Sequence, residues 1–136
     1  MKLSASESVA PVAWGFLEEV SVLCLLFAAQ SERRTDPEVW LKRLAPEASA
    51  SHRKAALEAA QTLFRAGCGM ALVTWVLEDR APRWSRQQRR HVLQVLTEWA
   101  VACGAPPLQL RVLVQLEQVE QRRRRRAGRY GDRPPR

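Results

Sequence analysis

The feature that most constrains the fold is a series of start and stop signals between Ser49 and Gly104. They cut an apolar-striped stretch into three helical segments. Ser49 or Ser51 is placed to cap the first. Arg65-Ala66-Gly67 ends it, because glycine readily takes the left-handed conformation that follows a helix. Gly67 and Gly69 separate it from the second segment, Met70 to about Asp79. That segment is almost wholly apolar through Leu77, which predicts burial on most sides. Ala81-Pro82-Arg83 ends it, since proline lacks the amide hydrogen that a helix interior needs. Ser85 caps the third segment, which is predicted to run to Cys103 and stop at Gly104. There Val92, Val95, Leu96, Trp99 and Cys103 recur at helical spacing as one continuous apolar stripe.

The flanks keep the same period. Met1 to Ala10 is small and polar. Pro11 suits a first helical turn, and one long helix is predicted from there to about Ser31. Val12, Phe16, Val20, Leu23 and Phe27 lie along one face, broadened by Leu17, Cys24 and Ala28, so this helix should sit centrally or pair with another subunit. Asp36-Pro37 is an N-cap followed by proline at the first helical position. A short helix, Glu38 to Leu44, should follow with Val39, Trp40 and Leu44 inward and Trp40 a core anchor rather than a base-stacking platform. Ala105-Pro106-Pro107 is a rigid hinge. A last helix runs from Leu108 to about Arg123, with Val112, Leu113, Leu116 and Val119 packed on the body. No alternating strand pattern exceeds a few residues, and 136 residues can bury a core without metals or disulfides. The expected fold is all-α, a single-domain bundle of about five to six helices over residues 1–121. An arginine-rich, flexible tail is expected over 122–136, too poor in apolar residues to fold alone.

The formal net charge is +8, and it is unevenly placed. Residues 1–50 hold five Lys/Arg against seven Asp/Glu, residues 51–103 eight against four, and residues 104–136 nine against three. The basic end is therefore the second half, the footprint expected for a polyanion partner. Arg83, Arg86, Arg90, Gln94 and Thr97 fall at helical spacing on a face away from the apolar stripe, with Arg89 beside them and no acid before Glu98. This ridge is expected to stand free of carboxylates from its own molecule and to hold a row of phosphates, which arginine binds bidentately. The unbroken run Arg122, Arg123, Arg124, Arg125 and Arg126 adds a generic electrostatic contact that carries affinity rather than specificity.

Other chemistry is not supported. There are no paired carboxylates in apolar surroundings, no nucleophile with a His/Asp partner, and no glycine-rich phosphate loop. Gly67-Cys68-Gly69 is too short for one. No cofactor is implied, and the protein is expected not to be an enzyme. Cys24, Cys68 and Cys103 are odd in number and widely spaced, and read as buried reduced thiols of a cytosolic protein. His52 and His91 stand alone, so no metal site is expected. The apolar run Val20 to Ala29 is about half of what a bilayer span needs, and Glu18 and Glu19 precede it where a signal peptide would carry positive charge. A cytoplasmic protein with no membrane contact is expected.

The order of signals resembles one family. A helix ends in a glycine break at Phe64-Arg65-Ala66-Gly67-Cys68-Gly69. A short hydrophobic helix, Met70-Ala71-Leu72-Val73-Thr74-Trp75-Val76-Leu77, follows. After a loop comes Val92-Leu93-Gln94-Val95-Leu96-Thr97-Glu98-Trp99. This is similar to the small helical subunit of class 1 CRISPR RNA-guided effector complexes, most of all the Cmr-type small subunit, over roughly residues 52–101. The chain departs from that family in its apolar, slightly acidic segment Pro11–Leu44, in Cys68, and in its arginine tail. The resemblance implies a non-catalytic subunit stacked in several copies beside other effector subunits, holding the backbone of guide RNA and target, or the displaced strand. Base pairing would supply the specificity. By position it implies contacts from Arg53, Lys54, Arg65, Arg83, Arg86, Arg89 and Arg90. Two other readings fit the same charge pattern: a free-standing arginine-rich RNA-binding protein working through its tail, and a helical adaptor for an acidic protein.

Overall fold

A computed structural model describes residues 14–31 and 36–131, with side chains of the last helix through Arg126. The readings of Met1 to Ala10, Pro11 and Val12, and of residues 132–136, fall outside that range. Among the described residues six α-helices follow one another: α1 Phe16–Ala29, α2 Pro37–Leu44, α3 Ala50–Leu63, α4 Gly69–Trp75, α5 Arg86–Ala102 and α6 Pro107–Gly131. No strand occurs among the described residues. The protein is a single-domain, all-α bundle.

Local signals set most boundaries. Ser49 Oγ accepts from the His52 amide at 3.2 Å and Asp36 Oδ1 from the Glu38 amide at 3.0 Å. At α5, Ser85 Oγ accepts from the Gln88 amide while Gln88 Oε1 accepts from the Ser85 amide. This reciprocal pair satisfies two amides that the first turn leaves free. Gly67 has φ 86° and breaks the chain between α3 and α4. Gly104 has φ 78°, and the Ala105 amide reaches back to the Ala100 carbonyl at 2.7 Å, closing α5. Gly69 is needed for a different reason, since a Cβ there would lie 2.9 Å from the Phe64 ring.

Several expectations need correction. α1 starts at Phe16 rather than near Pro11, because Gly15 is extended and Glu18 Oε1 accepts its amide at 2.8 Å. Val39 is 59% exposed, and Leu41 and Leu44 supply the inward face of α2. The segment after Gly69 is buried on one side only: Leu72, Val73, Val76 and Leu77 are inward, while Met70 is 54% exposed. A widened turn, Val76–Arg80, and a 3-10 turn, Ala81–Arg83, join it to α5. The last helix continues through the arginine run to Gly131. Of the cysteines, only Cys24 is fully buried, which pushes its thiol up from the ordinary range; Cys68 and Cys103 are half-buried, and all three are free.

α1 is the central element, with Val20, Val22, Leu23, Cys24, Leu26 and Phe27 all buried. Trp99 is the largest fully buried side chain among the described residues. It stacks on Trp40 at 4.9 Å between ring centroids and lies 5.5 Å from Phe27. Trp40 is thus half-buried against the core, as its sequence context predicts. Each such ring pair adds about 0.5–1.5 kcal/mol beyond its burial. α5 and α6 pack antiparallel across the short Cys103–Pro106 connection. At 1.5 Å per residue α6 is roughly 12 Å longer than α5, so its arginine end passes beyond the start of α5.

Candidate nucleic-acid interface

The candidate interface lies where the start of α5 meets the end of α6. The apolar stripe of α5 is Val92, Val95, Leu96, Trp99 and Ala100, all buried. Three residues before Val92, the same stripe is occupied by Arg89. The stripe of α6 is Val112, Leu116 and Val119, and Glu120 follows one turn after Leu116. Packing the two stripes brings both polar residues inside. Arg89 Nε donates to Glu120 Oε2 at 2.9 Å, with both side chains under 10% exposed. The Arg89 guanidinium also donates to the Trp84 carbonyl. Arg89 therefore belongs to the interior and cannot meet a phosphate, which corrects its place in the ridge. Inside a low-dielectric interior, removing one partner of such a pair costs about 3–5 kcal/mol.

Trp84 connects this pair to a second one. Its indole Nε1 donates to Glu19 Oε1 at 2.6 Å, and Arg80 Nε donates to Glu19 Oε2 at 2.7 Å. Glu19, Trp84, Arg89 and Glu120 thus form a polar seam through α1, the 3-10 turn, α5 and α6. Arg53 is a further correction. It lies on the buried stripe of α3 with Ala56, Leu57 and Ala60, and its guanidinium donates to the Ala48 carbonyl.

The remaining ridge stays at the surface but is not free of carboxylates. Arg83 lies 3.9 Å from Asp79, and Arg86 lies 3.7 Å from Glu120 Oε1. Both distances are beyond hydrogen-bond range, and both arginines are more than 60% exposed, so these contacts are weak. Arg90 is exposed and has no ion pair among the described residues.

The arginine run is folded against the same place. Arg123 donates to the Pro82 carbonyl at 2.6 Å, and Arg124 lies 3.8 Å from the same Glu120 Oε1 that Arg86 approaches. Arg90 and Arg124 line one groove between α5 and α6. Arg122, Arg123 and Arg126 line another against Leu77 and Pro82. Two sequence sets, Arg83, Arg86 and Arg90 from one element and Arg122 to Arg126 from the other, therefore share one end of the bundle. Lys54 and Arg65 are exposed on and just after α3, and no ion pair or hydrogen bond joins them to this cluster among the described residues.

Sequence reasoning missed Glu120 and Arg43. The signal for Glu120 was its spacing from Leu116 and Val112. Arg43 pairs with Glu98 and lies over the Trp40 ring at 4.9 Å, which ties up the acid that bounds the ridge. No group of three or more His, Cys, Asp or Glu side chains able to hold a metal occurs among the described residues. No helix among them is long and apolar enough to cross a membrane. Comparison of the chain with family models, with curated proteins and with solved structures finds no match.

Proposed function

We propose that the protein is a non-catalytic helical subunit that holds a nucleic-acid backbone, and that it works within an RNA-guided effector complex of the kind its central helices resemble. The observation that carries the backbone-holding part is the meeting of the two arginine sets at one end of the bundle. Arg83, Arg86, Arg90 and Arg122 to Arg126 outnumber the acids beside them, and Glu120 is already engaged by Arg89. A cluster of this kind binds sugar–phosphate chains by charge and releases counterions in doing so. Arg53 and Arg89 are not part of it. The assignment to an effector complex, with copies of itself and other subunits as neighbours, rests on the resemblance over residues 52–101.

The test replaces Arg83, Arg86 and Arg90 with glutamine together and measures retention of RNA and DNA. Loss of retention with an unchanged unfolding midpoint supports the reading; unchanged retention overturns it. Removal of residues 122–136 separates it from a protein that binds through its tail alone, for which binding would vanish entirely. Copurification with neighbouring effector subunits and sequencing of the bound RNA test the assembly.

A further inference from the structure

The groove between the turns that follow α4, residues 76–83, and α6 has a composition that a simple phosphate cradle does not need. It encloses about 410 Å³, within the range of small-ligand sites. Its apolar lining is Leu77, Pro82 and Val119, beside the polar Gln115 and Gln118; Leu77 and Val119 are each 5% exposed or less. Arg122 and Arg126 stand on its wall one helical turn apart. Arg123 also lines it and donates to the Pro82 carbonyl at 2.6 Å. Exposed Glu78 lines the same groove and forms no ion pair among the described residues.

An acid is out of place in a site for phosphate alone, because it repels the ligand. It is in place beside a base. A carboxylate accepts from the exocyclic amine of cytosine, while arginine planes stack on base faces and bind the adjoining phosphate. We infer that this groove takes one unstacked, amine-bearing base of a single strand, with Leu77, Pro82 and Val119 beneath the ring, Arg122 and Arg126 on its phosphate and face, and Glu78 on its amine. A duplex keeps its bases stacked inside and presents none to the groove. The inference rests on the backbone-holding reading above and narrows it from any polyanion to single-stranded nucleic acid.

The test is fluorescence anisotropy on the full chain with labelled RNA of about a dozen nucleotides, a length in the range of single-strand sites. The probes are oligocytidine, oligouridine and a duplex of equal strand length. The native chain should bind oligocytidine about tenfold more tightly than the duplex, the scale of one stacked base. Its preference for oligocytidine over oligouridine should be about fivefold. Glu78 is exposed, so Glu78→Gln leaves the fold intact. This variant should bind oligouridine more tightly than the native chain does and lose the preference. Equal binding of duplex and single strand, or a preference unchanged in Glu78→Gln, overturns the inference while leaving backbone holding in place. No binding of any of the three probes overturns both.

Discussion

Arg89 and Arg90 are neighbours on α5 and occupy opposite kinds of surroundings. Arg89 belongs to the interior seam with Glu19, Trp84 and Glu120, where every charge has a partner at hydrogen-bond distance. Arg90 belongs to the outer fringe with Arg83, Arg86 and the arginine run, where the nearest carboxylates lie at 3.7 to 3.9 Å or are absent among the described residues. The two regions share a residue type and differ in solvent. In the seam a guanidinium is fixed by a low-dielectric pair whose loss is costly. In the fringe it is hydrated, weakly paired and available to an outside anion. A count of arginines on a helix therefore overstates how many stay at the surface unless the stripe position of each is known.

The sharpest break of this contrast is Glu120→Ala. It strands Arg89 inside, and the expected loss is about 3–5 kcal/mol by urea unfolding. The double change Arg89→Leu with Glu120→Leu should recover most of it; a loss below about 1 kcal/mol for the single change would place Arg89 in the fringe after all.

Fringe variants should do the reverse. Changing Arg122 to Arg126 to glutamine should leave the unfolding midpoint nearly fixed. It should flatten the dependence of log affinity on log salt by about 3.5 units if all five contact a single strand. The triple change at Arg83, Arg86 and Arg90 should flatten it by about 2 units, with stability altered by roughly 0.5 kcal/mol or less. An unchanged salt slope in both variants would remove the fringe from the binding surface. The smallest effect belongs to Glu98→Gln. Its pair with Arg43 is about half-exposed, so about 0–1 kcal/mol should be lost.

The helices were legible because their ends are written locally. Ser85 with Gln88, Asp36 with Pro37, and the glycines at 67 and 104 each act within a few residues, and each boundary falls where those residues place it. α1 was misread for the same reason turned round: Gly15 breaks the run, and the apolar pattern continues across it. Val39 was misread because an eight-residue helix gives the period too few repeats to choose between Val39 and Leu41. The fringe was legible in part, as two separate basic stretches. Their meeting was not, since the Arg123 contact to Pro82 spans 41 residues.

Element type, element order and the basic character of the second half follow from the chain alone, because caps, helical period and charge are properties of near neighbours. Which arginines are spent inside and which remain for a ligand follows from packing. Glu19 lies 61 residues from Arg80, and Glu120 lies 31 from Arg89. The helical period puts Arg53, Arg89 and Glu120 on core-facing positions, but only the approach of α6 to α5 supplies the carboxylate that lets Arg89 stay charged there.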